Sequence, residues 1–125
     1  MELENGITLE NLLLQRKVFK DYWLIPDKVK VRFSSITLKE QMALKVDSTI
    51  FGDQRTSTIK MLASSLEQYD LIDGDKVTSA LINADLDSKI KFLESLPTQI
   101  IAKMIELLNQ FDSEIMKLFE ESKKN

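Results

Sequence analysis

The C-terminal segment limits most strongly what this chain can fold into. From Thr98 to Glu121, Ile101, Met104, Leu108, Phe111, Ile115 and Leu118 recur at spacings of three and four. That period lines one face of a helix lying nearly parallel to a neighbour. Ile100, Ile105, Leu107 and Phe119 widen the stripe past a two-stranded seam. Such a helix needs cover on more than one side, from its own fold or from another chain. Pro97 sets its start, because proline suits a first turn and keeps the preceding residue out of helical geometry.

Upstream, shorter helical signals dominate. Thr8 opens a helix expected over Leu9–Phe19, with Glu10 in its first turn. Thr37 and Glu40 form a capping box, followed by Leu38, Met42 and Val46 at every fourth residue. The segment Ser48 to Asp53 reads as a loop. Ile59, Leu62, Ala63 and Leu66 trace a helical stripe that Tyr69 extends, and Leu86, Ile90, Leu93 and Leu96 trace another, capped by Asp85 or Asp87. Leu62, Leu66, Leu93, Met104, Leu108 and Phe111 are the expected core.

One stretch changes period. Val29, Val31 and Phe33 alternate with Lys30 and Arg32, the pattern of a strand with one wet face. Phe19 to Leu24 is rich in aromatic residues, and Ile25-Pro26-Asp27-Lys28 forms a turn between the two. The fold class expected is therefore mainly α with a small β-hairpin at 19–33 (α+β), a compact helical domain completed by a long amphipathic C-terminal helix. One domain is expected over 1–125, with an N-terminal segment at 1–18 and a helical part at 36–121. Asp73-Gly74 favours a tight hairpin turn between the short apolar pairs of Leu71–Val77, the one other region where strand is allowed for, and Trp23 is expected to plug the core or clamp the hairpin.

Composition enters through what it excludes. The chain has no Cys and no His, which removes thiolate metal sites, the usual general base and the commonest zinc ligand. It also leaves no side chain that ordinarily titrates between about pH 5 and 8. Asp70, Asp73 and Asp75 lack the spacing and the later Glu of a calcium loop. Neighbouring acids such as Glu2/Glu4, Asp85/Asp87 and Glu120/Glu121 sit at helix starts, turns and exposed faces. Gly6, Gly52 and Gly74 lie too far apart for a phosphate-cradling loop. The expectation is no enzyme, no cofactor and no metal. A net charge of −3 argues against nucleic acid, although Lys28, Lys30 and Arg32 cluster. The start, Met1-Glu2-Leu3-Glu4, lacks a signal peptide's basic region, and no apolar run reaches the ~20 residues of a membrane span, so neither secretion nor membrane insertion is expected.

Taken together, this layout resembles the small tail assembly chaperones of long-tailed bacteriophages. Three places carry the resemblance: the strand and capped helix from Val29 to Glu40, Leu62–Leu66 running into the Asp73-Gly74 turn, and Lys91–Pro97 before the final helix. They cover most of Val29 to Leu118, and the segment before Phe19 has no counterpart. A related group is the small protein that helps assemble the baseplate hub of contractile-tailed phages. The resemblance implies a non-catalytic factor in the cytoplasm of the infected host cell. Its partners would be the long helical tape measure protein and the tail tube protein, and self-association is expected. The alternative is a structural component of the virion, such as a baseplate, connector or tail-completion protein; a third possibility is a small regulator that binds DNA through Lys28, Lys30 and Arg32.

The residues expected to meet a partner are the surplus apolar positions of the last helix, Ile100, Ile105, Leu107, Ile115 and Phe119, together with the strand cations Lys30 and Arg32.

Overall fold

The computed structural model describes residues 7–14, 17–43 and 54–123. In chain order the elements are α1 (Leu9–Leu13), β1 (Phe19–Ile25), β2 (Val29–Ser34), α2 (Leu38–Ala43), α3 (Gln54–Ser65), β3 (Leu66–Asp73), β4 (Lys76–Ala80), α4 (Leu86–Glu94) and α5 (Thr98–Lys123). The expected hairpin is only half of the β-structure. A four-stranded antiparallel sheet runs β1-β2-β3-β4, with α2 and α3 inserted between its second and third strands. The sheet is thus more than the small hairpin expected of this α+β fold, and the part expected to be helical, 36–121, contains two strands, which meet at the Asp73-Gly74 turn.

The difference arises at one place, the end of α3. Leu62, Ala63, Leu66 and Tyr69 share a helical stripe, but the helix stops at Ser65, and Leu66 and Tyr69 continue as alternating strand positions. Two interactions end it there. The Ser65 hydroxyl donates to the Ser34 carbonyl at 2.6 Å, and Phe33 pairs with Leu66 next to a register shift. All four apolar residues are buried either way, so helix and strand share one burial pattern, and only the pairing with β2 decides between them.

The turns follow their chemistry. Lys28 N–H donates to the Ile25 carbonyl at 3.0 Å, and Asp27 at φ 62 follows Pro26, the geometry of a type II turn. Gly74 sits at φ 63 in the two-residue connection between Asp73 and Lys76, where glycine takes positive φ without a Cβ penalty. The Thr37 hydroxyl accepts from Glu40 N–H at 3.1 Å, and the Glu40 carboxylate accepts from Thr37 N–H at 3.0 Å, completing the capping box. Asp85 caps α4 by accepting from Ser88 N–H at 2.8 Å. Helix α1 begins at its Thr8 cap, which accepts from Asn11 N–H, but ends at Leu13, short of the expected Phe19. Val46 and the Ser48–Asp53 loop lie outside the described residues.

Helices α3, α4 and α5 cover one side of the sheet. Tyr22, Leu24, Val29, Val31, Phe33 and Tyr69 project from the strands to meet Leu62, Leu93, Met104, Leu107 and Phe111, forming one core. Two aromatic nodes tie the layers together. Phe111 of α5 lies 6.5 Å from Tyr22 and 6.2 Å from Phe33, centroid to centroid, while Phe92 of α4 stands edge-on to Tyr69 at 4.9 Å. Trp23 points to the other side and is 44% exposed, so it is no core plug; its ring lies under the Lys30 ammonium instead.

Helix α5 docks by a face slightly rotated from the expected one. Met104, Leu107 and Phe111 are buried, whereas Leu108 is half-buried. The next position on the docked face, Glu114, is an acid, which makes that stripe look interrupted in the sequence. It is not interrupted in space. Glu114 accepts hydrogen bonds from the Lys20 ammonium at 2.6 Å and the Tyr22 hydroxyl at 3.1 Å, both on β1.

Candidate functional site: an apolar groove among three helices

A concave apolar surface lies where α3 passes the corner between α4 and α5. Pro97 makes that corner. Leu96 N–H closes on the Leu93 carbonyl, and Ile100 and Ile101 N–H on the Pro97 carbonyl, so α5 starts immediately after α4 ends. The corner leaves a groove of about 560 Å³ against α3. Its walls are Ile59 of α3, Leu93 and Leu96 at the end of α4, and Ile101 and Ile105 of α5, with Thr58, Glu94 and Thr98 also lining it. Ile101 and Ile105, four residues apart, form a rail one helical turn long on one side.

The chemistry of the groove is simple. It offers no His or Cys, and among the described residues its one ionisable lining residue is Glu94. Among the described residues its lining is mostly apolar, with Thr58, Glu94 and Thr98 as the polar members. Apolar walls with an i, i+4 rail match the ridge of side chains on another helix. Among the described residues no group of three acids could hold a metal ion. Asp70 is instead used by Ser79, which donates at 2.7 Å, and by the Gln68 amide at 2.9 Å.

The positions expected to meet a partner are scattered. Ile105 lines the groove, and Ile100 is half-buried beside the same end of α5. Leu107 is 7% exposed and belongs to the core, so it is not available to a partner. Ile115 is half-buried against the core, and Phe119, 37% exposed, sits about four helical turns beyond Ile105. Lys30 and Arg32 occupy the far side of the sheet, where both face Asp21. Arg32 grips its carboxylate with Nε at 2.7 Å, and the Lys30 ammonium is 3.9 Å away. Helices and strands therefore separate the expected residues into three surfaces. Ile59, Leu93 and Leu96 complete the groove and were not singled out as binding residues, because each reads as ordinary core within its own helix.

Comparison with protein families, characterised proteins and solved structures returns no match for the chain. Function has to be argued from these surfaces. Among the described residues no helix is long and apolar enough to cross a membrane.

Electrostatics mark the opposite end of α5. Burial pushes the Tyr22 hydroxyl well above a phenol's ordinary value of 10.0, reinforced by the Glu114 charge and the hydrogen bond it accepts. Partial burial would raise Glu114, but hydrogen bonds from Lys20, Tyr22 and Gln110 outweigh it and hold the carboxyl below its ordinary 4.5. The folded chain therefore keeps the Tyr22 proton more tightly than the unfolded chain. That contribution is complete below pH 10 and is lost as pH rises beyond it; the Glu114 contribution is complete above pH 4.5 and is lost as pH falls through the folded value. Denaturant titrations of Tyr22→Phe should show about 1 kcal/mol lost at neutral pH through the missing hydrogen bond, and a shallower decline than wild type above pH 10. An unchanged alkaline decline would mean that this phenol is not the group responsible.

Proposed function

We propose that the chain is a non-catalytic assembly factor that binds an amphipathic helix of a long helical protein in the α3/α4/α5 groove. The apolar groove itself carries this proposal. Its walls take a row of apolar side chains at helical spacing, the mode by which helical grooves receive helical partners. Joined to the resemblance in the strand and capped helix Val29–Glu40, the partner proposed is a phage tape measure protein. Tail tube protein is the second partner, and the site of action is the cytoplasm of the infected host cell. A tape measure exposes long apolar stripes before the tube encloses it, and a reversible cover over such a stripe keeps it from aggregating.

The test is co-expression with a tape measure protein, scored by how much of that protein stays soluble. Wild type should keep most of it in solution. Ile101→Asp with Ile105→Asp should lose the effect while the chain keeps its circular dichroism and melting transition, because an unpaired carboxylate in an apolar contact costs several kcal/mol. Phe119→Asp, at the far end of α5, should act as wild type. A groove variant that solubilises as well as wild type would remove the groove from the mechanism. Failure of the wild type with every tape measure tried would remove the chaperone proposal itself, and recovery of the chain from purified particles would favour a virion component.

A further inference from the structure

The sheet has two edges, and they are built differently. The β1 edge is broken by a register shift between Trp23 and Ile25 and carries Lys20 and Asp21, the devices by which proteins keep strand edges from pairing. The β4 edge is less protected, with Lys76 at its start as its one such device. Lys76–Ala80 contains no proline, runs in unbroken register with β3 from Asp73↔Lys76 to Tyr69↔Ala80, and carries one charge, at its first residue. Lys76 through Ser79 are all exposed, with Val77 at 55%.

From this edge we infer that β4 pairs antiparallel with β4 of a second copy, about an axis at Thr78, to make one continuous eight-stranded sheet. The alternation of the ladder supports that axis. Asp73 and Lys76 close a two-residue turn as a hydrogen-bonded pair, so Thr78 and Ala80 also bond inward to β3. The amide and carbonyl groups of Val77 and Ser79 then face outward. With Thr78 opposite Thr78 of the second copy, Val77 of each chain meets Ser79 of the other, and each of these two pairs can exchange two backbone bonds. Threonine opposite threonine is a favourable cross-strand pair. The single charge is accommodated as well: Lys76 comes opposite Ala80 of the second copy, so no like charges face each other across the ladder. Self-complementarity of sequence, backbone and charge selects a second copy over an unrelated strand. The groove plays no part in this pairing, and the two can be tested separately.

The experiment is sedimentation equilibrium of the full chain with a charge swap at Thr78. Wild type at about 0.3 mM should contain a species of twice the 14.4 kDa chain mass. Thr78→Lys and Thr78→Glu, at an exposed position, should each be monomeric, since both place like charges directly across the axis, and an equimolar mixture of the two should recover the dimer. Hydrogen exchange should slow about tenfold or more at the Val77 and Ser79 amides as concentration rises, while the Thr78 amide is protected at every concentration. A wild type that stays monomeric overturns the inference. So does a dimer that survives Thr78→Lys, or a mixture that stays monomeric.

Discussion

Phe111→Ala should cost the folded chain about 3–5 kcal/mol, measured as a fall in the denaturation midpoint at unchanged slope. Phe111 is fully buried and stands where α5 meets the aromatic residues Tyr22 of β1 and Phe33 of β2. Truncation removes the transfer free energy of a whole ring and leaves a cavity between two layers that cannot both relax into it. It also breaks the tilted contact to Phe33 and the edge-on contact to Tyr22, each worth about 0.5–1.5 kcal/mol beyond buried area. Tyr22 cannot follow inward, because its hydroxyl is held by Glu114 one turn further along α5. Such a loss is a large part of the ~5–15 kcal/mol by which domains are stable, so the variant should be close to unfolding at 37 °C. A cost below about 1 kcal/mol would mean that α5 does not dock on the sheet by this face.

Elements fixed by local chemistry were legible in the sequence. The capping box of α2, the Asp85 cap, the Pro97 corner, the Pro26 turn and the alternation in β2 all depend on residues within a few positions of one another, and the structure has each of them. Elements fixed by distant pairing were not. Nothing between Leu66 and Tyr69 distinguishes a helix end from a strand until Phe33 is known to lie beside Leu66, and β4 carries too few apolar residues to announce a strand without β3 beside it. The same divide runs through the candidate site. Ile105 was recognisable as surplus on a wide stripe, but its neighbours in the groove come from α3 and α4, and no period within one helix connects them. Lys30 and Arg32 looked like a free basic face because Asp21, ten residues upstream of the middle of β2, crosses to them only once the hairpin has formed.

Leu107 and Phe119 belong to one apolar stripe in sequence, and the structure predicts opposite fates for an aspartate at each. Leu107→Asp should unfold the chain or cost more than about 3 kcal/mol, because the new carboxylate would be buried in the apolar core with Met104, Phe111 and their neighbours. Its pKa should rise, so the variant should recover part of its stability as pH falls toward 5 and the carboxyl is protonated. Phe119→Asp should stay within about 1 kcal/mol of wild type, since its ring is already 37% exposed near the end of α5. Paired melting curves at pH 7 and pH 5 separate the two. Were Leu107→Asp to fold normally and only weaken association, Leu107 would be a partner surface after all, and the docking face of α5 would be the Leu108 face that strict heptad spacing favours. The deciding residue is Glu114. With Lys20 and Tyr22 bound to it, the Leu107 face runs unbroken from Met104 onto the first strand, and a charge at Leu107 has nowhere to go but the core.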